Sequence, residues 1–117
     1  MSIIYAGDTH GNVDAFAALD HIAKSDGAAA VVQVGDNGIF WPDKPDGAEY
    51  FEKRARQGKL TIPWFVADGN HEWHSHIDDI WRTQGMPDIV ELFPNVYHVR
   101  RGGFVEIDGI GHVFCGG

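Results

Sequence analysis

Three short segments of this chain share one layout, which limits the possible folds more than any other feature of the sequence. Ile3-Ile4-Tyr5-Ala6-Gly7-Asp8, Val31-Val32-Gln33-Val34-Gly35-Asp36 and Phe65-Val66-Ala67-Asp68-Gly69-Asn70 each run apolar, reach a glycine, and then present a polar side chain. Short β-branched and aromatic runs that stop at glycine read as buried strands, parallel rather than half-exposed. Helical patterns separate them. Val13, Phe16, Ala17, Leu19, Ile22 and Ala23 follow helix spacing, with Asn12 placed to cap the start and Gly27 to stop it. Residues 41–45 read as a loop, residues 48–57 as a charged helix closed by Gly58, and residues 75–84 as a helix ended by Gly85 and Pro87. Alternation of this kind predicts right-handed crossovers and an α/β fold built on a parallel βαβαβ core.

The tail changes character. Residues 96–99, 104–107 and 110–114 are short apolar runs joined by Arg101-Gly102-Gly103 and by Asp108-Gly109. An Asp-Gly pair between apolar runs is a strong hairpin signal, so a short β-meander is expected after the α/β core. At 117 residues the length prior allows one domain at most. Because the sequence stops at Cys115-Gly116-Gly117, directly after an apolar strand, residues 1–117 are expected to be the amino-terminal portion of a single domain, truncated at the C-terminus. A domain of two packed sheets cut there would leave one apolar face partly uncovered, which invites a homodimer or exchange of elements between chains.

Charge narrows the function. Nine Lys and Arg against 17 Asp and Glu give a formal net charge of −8. Such a chain has no general basic surface for nucleic acid or an anionic membrane. Its longest apolar stretch, residues 28–32, is far too short to cross a bilayer. Cys115 stands alone, which removes an intrachain disulfide framework and any multi-Cys zinc site. With no basic flank or cleavage-like site at the start, the expected location is a reducing cytoplasm. For a phosphorylated substrate, bound cations would have to supply the positive charge and reverse the local sign.

In open α/β sheets the active crevice lies outside the carboxyl ends of the strands. Asp8, His10, Asp36, Asn70 and His71 all fall at such ends and can converge although far apart in sequence. Taken singly, Asp8 is equally a turn residue capping a helix, Asp36-Asn37-Gly38 a tight turn, and Asn70 a left-handed turn residue. Together they offer oxygen and nitrogen donors without sulfur, a set that suits Mn, Fe, Zn or Ni better than a thiolate-bound metal or calcium. One carboxylate can bridge two ions, and two ions about 3.5–4 Å apart clamp both oxygens of an in-line displacement at phosphorus.

Gly7-Asp8-Thr9-His10-Gly11-Asn12, Gly35-Asp36-Asn37 and Gly69-Asn70-His71-Glu72 resemble, in order, spacing and strand-end placement, the first three motif blocks of the calcineurin-like metallophosphoesterase family. The resemblance covers essentially the whole chain and the first part of the family's domain, a four-layer α/β/β/α sandwich. It implies hydrolysis of a phosphoric ester at a dinuclear centre of two divalent metal ions. Asp8 and His10 would bind the first ion, Asp36 would bridge both, and Asn70 would bind the second. A metal-bridging hydroxide would attack phosphorus while His71 donates a proton to the leaving oxygen. The implied substrate is a phosphorylated small molecule, a nucleotide or a phosphoprotein; the acidic charge argues against nucleic acid, and no membrane role is expected.

The departures define a rival. The family's further His and its Gly-His-x-His block do not occur before Gly117, and Gly111-His112-Val113-Phe114 lacks the second His. Gly38-Ile39-Phe40-Trp41 stands where many relatives carry an Arg. These absences motivate a non-catalytic scaffold, or an inactive fragment that retains the fold. A Rossmann-type nucleotide turn fits poorly, since Gly7-Asp8-Thr9-His10-Gly11 lacks the required glycine spacing and Asp8 would repel a pyrophosphate. Elsewhere, His21 reads as a surface residue, His74 and His76 as surface or packing residues beside the site, and His98 and His112 as residues of tail strands. Trp41, Trp64, Trp73 and Trp81 read as core or rim, Arg100-Arg101 as a solvated hairpin end, and Cys115 as an inert strand residue.

Overall fold

The computed structural model describes residues 2–35, 38–39, 45–67, 74–85 and 87–115. Its elements follow the order β1 (Ile3–Ala6), α1 (Val13–Asp26), β2 (Ala30–Gln33), α2 (Asp46–Arg56), β3 (Trp64–Val66), α3 (His74–Thr83), β4 (Ile89–Phe93), β5 (Val96–Val99), β6 (Gly103–Ile107) and β7 (Ile110–Phe114). Strands β1, β2, β3 and β5 lie parallel in a five-stranded sheet of order β1-β2-β3-β5-β4, with β4 antiparallel at the edge. Strands β6 and β7 form a separate antiparallel hairpin turned by Asp108 and Gly109. The α/β fold with its parallel core is therefore present.

The tail divides differently from a simple meander. Residues 96–99 join the main sheet beside β3, pairing Trp64 with Val96, and only the last two strands make the hairpin. The cause is burial: Val96 and Val99 are both fully buried, one among the residues on the helix side of the sheet and the other among those under the hairpin. A strand covered on both faces belongs inside a sheet. Strand β4 was not expected from the sequence; it carries Glu91 in its middle and its register with β5 shifts between Glu91 and Phe93.

Local chemistry explains the helices. The Asn12 side chain accepts a hydrogen bond from the Ala15 amide at 3.2 Å, satisfying one of the orphan donors of α1. Gly27 closes the helix at φ 63° with its N–H directed to the Ala23 and Lys24 carbonyls, a left-handed cap that glycine adopts without penalty. Helix α1 buries Phe16 and Ala23, and α2 buries Phe51. With Trp64 from β3 these rings form one cluster, Phe16 tilted against Phe51 at 4.9 Å and Phe51 edge to face with Trp64 at 5.0 Å between centroids. Full burial of each phenylalanine contributes roughly 1.5–3 kcal/mol, so this aromatic cluster fixes both helices on one face.

On the opposite face Ala30, Val32, Ala67 and Val99 of the sheet region pack against Val105, Ile107 and Phe114 of the hairpin. The sheet is thus a middle layer between helices and a second β layer. Trp81 of α3 donates from Nε1 to the Pro87 carbonyl at 2.8 Å and lies under the Arg100 guanidinium at 5.1 Å. Arg100, exposed just after the end of β5, thus also contacts α3. Among the described residues no helix is long and apolar enough to cross a membrane.

Candidate metal centre

Because β1, β2 and β3 are parallel neighbours, the segments that leave their carboxyl ends do so along one edge of the sheet. Backbone bonds tie the first two exits together: the Val34 amide donates to Ala6 at 2.8 Å and the Asp8 amide to Gly35 at 3.2 Å. The Ala67 amide donates to Gln33 at 2.9 Å and continues the link to the third exit.

The first loop is held in an uncommon shape. Asp8 and His10 have φ values of 54° and 52°, and Gly11 follows at 70°. Asp and His tolerate this left-handed region better than most residues, yet each still costs about 1–2 kcal/mol relative to the right-handed form. The conformation brings His10 Nε2 to 3.6 Å from Asp8 Oδ1, with the two side chains 50% and 79% exposed. That separation is too long for a hydrogen bond. It is close to the spacing of two donors on one tetrahedral ion, about 3.4 Å when each bond is about 2.1 Å. A hard carboxylate oxygen and an imidazole nitrogen, side by side on an open crest, fit a divalent cation of the Mn, Fe, Zn or Ni type.

Interlocked backbones brace this loop. A Cβ added at Gly38, whose φ is 78°, would lie 2.0 Å from the Gly11 nitrogen and 2.6 Å from the His10 carbonyl carbon. One added at Gly47, near the start of α2, would lie 2.4 Å from the Gly38 oxygen. The first loop, the second loop and α2 are therefore stacked main chain against main chain.

The structure places Asp8 and His10 side by side. Asp36, Asn70 and His71 lie outside the described residues, as do Trp41 and Trp73. Among the described residues no group of three or more His, Cys, Asp or Glu side chains is disposed to hold a metal ion. His112 is engaged elsewhere. Its Nδ1 lies 2.9 Å from the Ile110 carbonyl, which can only accept, so Nε2 receives the Tyr5 hydroxyl at 2.7 Å and pins β7 to β1. Beside that link runs a groove of about 430 Å³ lined by Tyr5, Val34, Ala67, His112 and Cys115. Cys115 is exposed and lies beyond the end of β7, not within the strand as expected. His21 is exposed on α1 and Trp64 is a core residue, both as expected, whereas His98 is buried in the main sheet.

One residue escaped the sequence reading. Gln33, the last residue of β2, is completely buried and donates from Nε2 to Thr9 Oγ1 at 3.3 Å. The available signal was a long polar side chain inside the apolar run Val31-Val32-Gln33-Val34.

The family model for calcineurin-like phosphoesterases matches residues 1–116, and the chain belongs to that family. Membership implies metal-dependent hydrolysis of phosphoric esters in general, and the family generally uses two divalent metal ions. No curated protein and no solved structure matches the chain.

Proposed function

We propose that this protein hydrolyses a phosphoric ester at a dinuclear metal centre to which Asp8, His10, Asp36 and Asn70 contribute, with His71 as the proton donor. The observation that supports this reading most is the convergence of Asp8 Oδ1 and His10 Nε2 to 3.6 Å on a loop held twice in the left-handed region. When bound, two divalent cations polarise the phosphoryl oxygens and lower the pKa of water.

The chain's own residues do the rest. Asp8 and His10 present donors that the left-handed backbone has already oriented. Asp36 carries two carboxylate oxygens and is the residue suited to span both ions. Asn70 adds a neutral amide oxygen. His71 belongs to the one side-chain type that exchanges a proton readily near neutral pH, and it stabilises a leaving alkoxide by protonating it. The substrate is a phosphorylated small molecule, a nucleotide or a phosphoprotein, because a net charge of −8 opposes a long polyanion.

The test compares two substrates with Mn²⁺ supplied. Hydrolysis of p-nitrophenyl phosphate is expected to require the metal and to fall on the order of 100-fold in Asp8→Asn and Asp36→Asn, the scale for removing one electrostatic group from a site. His112→Ala should keep the wild-type rate. His71→Ala should slow an alkyl phosphate far more than the aryl one, since an activated aryl leaving group needs no proton. Hydrolysis that persists in Asp8→Asn, or that ignores a chelator, would reject the proposal.

A further inference from the structure

The geometry points to Gln33 as the positioning residue of the Asp8–His10 loop: a buried amide that grips Thr9 and thereby sets the spacing of the two donors on either side of it. The inference rests on the reading of Asp8 and His10 as metal donors, but its structural part stands on the loop itself.

Three observations carry it. First, Gln33 closes a strand whose four residues are all buried, and its side chain is fully shielded from solvent. Burying an amide costs about 1–3 kcal/mol unless it is fully hydrogen-bonded. Second, it is only half bonded: Nε2 reaches Thr9 Oγ1 at 3.3 Å, while Oε1 has no hydrogen-bond partner among the described residues. Exchanging the amide nitrogen and oxygen leaves the other end without a partner instead, so the imbalance does not depend on that assignment. A leucine of similar size would serve the core better, because a half-satisfied buried polar group is worse for stability than an apolar one. Third, the partner it holds among the described residues is Thr9, flanked by Asp8 at φ 54° and His10 at φ 52°. Left-handed residues persist only where the surroundings over-determine them. Backbone contacts brace the loop at its ends, through the Asp8 amide to Gly35 and the Gly38 main chain against Gly11. The Gln33 amide reaches its middle from the rigid sheet beneath.

Stability and metal affinity should therefore move in opposite directions, which a merely structural glutamine would not allow. Gln33→Leu is expected to melt at or above the wild-type temperature. Its affinity for Mn²⁺ should fall about tenfold, at the lower end of the range for losing an outer-shell partner. In metal-free protein, hydrogen exchange at the Asp8 and Asn12 amides, which bond to Gly35 and Thr9, should accelerate about tenfold. Thr9→Val cuts the same bond from the loop side and should reproduce both effects. The double variant should fall short of additive, since both changes remove the Gln33–Thr9 bond. Unchanged exchange at Asp8 and Asn12 in both variants, or fully additive effects, would overturn the role of Gln33. A wild-type protein that binds no Mn²⁺ while Gln33→Leu still loosens those amides would support the positioning role and reject the metal reading, so the two failures are separable.

Discussion

At Asp8 and His10 the chain accepts a left-handed backbone twice within three residues. The expected consequence is a trade between stability and binding. Replacing His10 with glycine removes the steric cost and should raise stability by about 1 kcal/mol in a denaturant titration, while Mn²⁺ binding is lost. A fall in stability would show that the imidazole itself braces the fold. A second residue reports through pH. Burial pushes the Tyr50 phenol above its usual value, against an opposing pull from Arg54, whose guanidinium lies 5.3 Å from the ring centroid. The folded state thus holds the Tyr50 proton more tightly than the unfolded chain. Stability from this group is intact below pH about 10 and declines as the pH rises beyond it. In Tyr50→Phe that alkaline decline should shrink; an identical pH profile would contradict the assignment. That Asp8 and His10 share one loop just after β1 was legible in their spacing. Their backbone conformation was not, since left-handed geometry at Asp or His leaves no mark on composition.

Among the elements, α1 was readable to the residue at both ends because its cap and its stop act locally: Asn12 bonds Ala15, and Gly27 turns back on Ala23 and Lys24. Helix α2 begins at Asp46, two residues earlier than residues 48–57 implied, immediately after Pro45. The strand pairing was harder. Strand β5 resembles the hairpin strands that follow it, and what places it beside β3 is burial on both faces, a property of the assembled layers. Strand β4 was hidden by Glu91. The packing of loops against α2 was equally silent in sequence, yet it makes a sharp expectation. Gly38→Ala drives a Cβ into the Gly11 backbone at a left-handed position, whereas a Cβ at Gly27 meets nothing within 4 Å. The first change should cost more than about 3 kcal/mol and the second only about 1. Equal losses by thermal melting would mean that the loops are not interlocked.

For the whole molecule, one sheet separates two jobs. Its helix-covered face carries the aromatic core, its other face carries the hairpin, and the carboxyl ends of β1, β2 and β3 share one edge. A formal charge of −8 repels a phosphate ester until cations invert the sign at that edge. Metal capture by the first loop is consequently the step on which the proposed activity depends. Calorimetric titration of Mn²⁺ into the metal-free chain tests it directly. The expected result is saturable binding that weakens at least tenfold in Asp8→Asn and in His10→Ala, with His112→Ala unchanged. Binding of equal strength in all four proteins would contradict a metal centre built on Asp8 and His10.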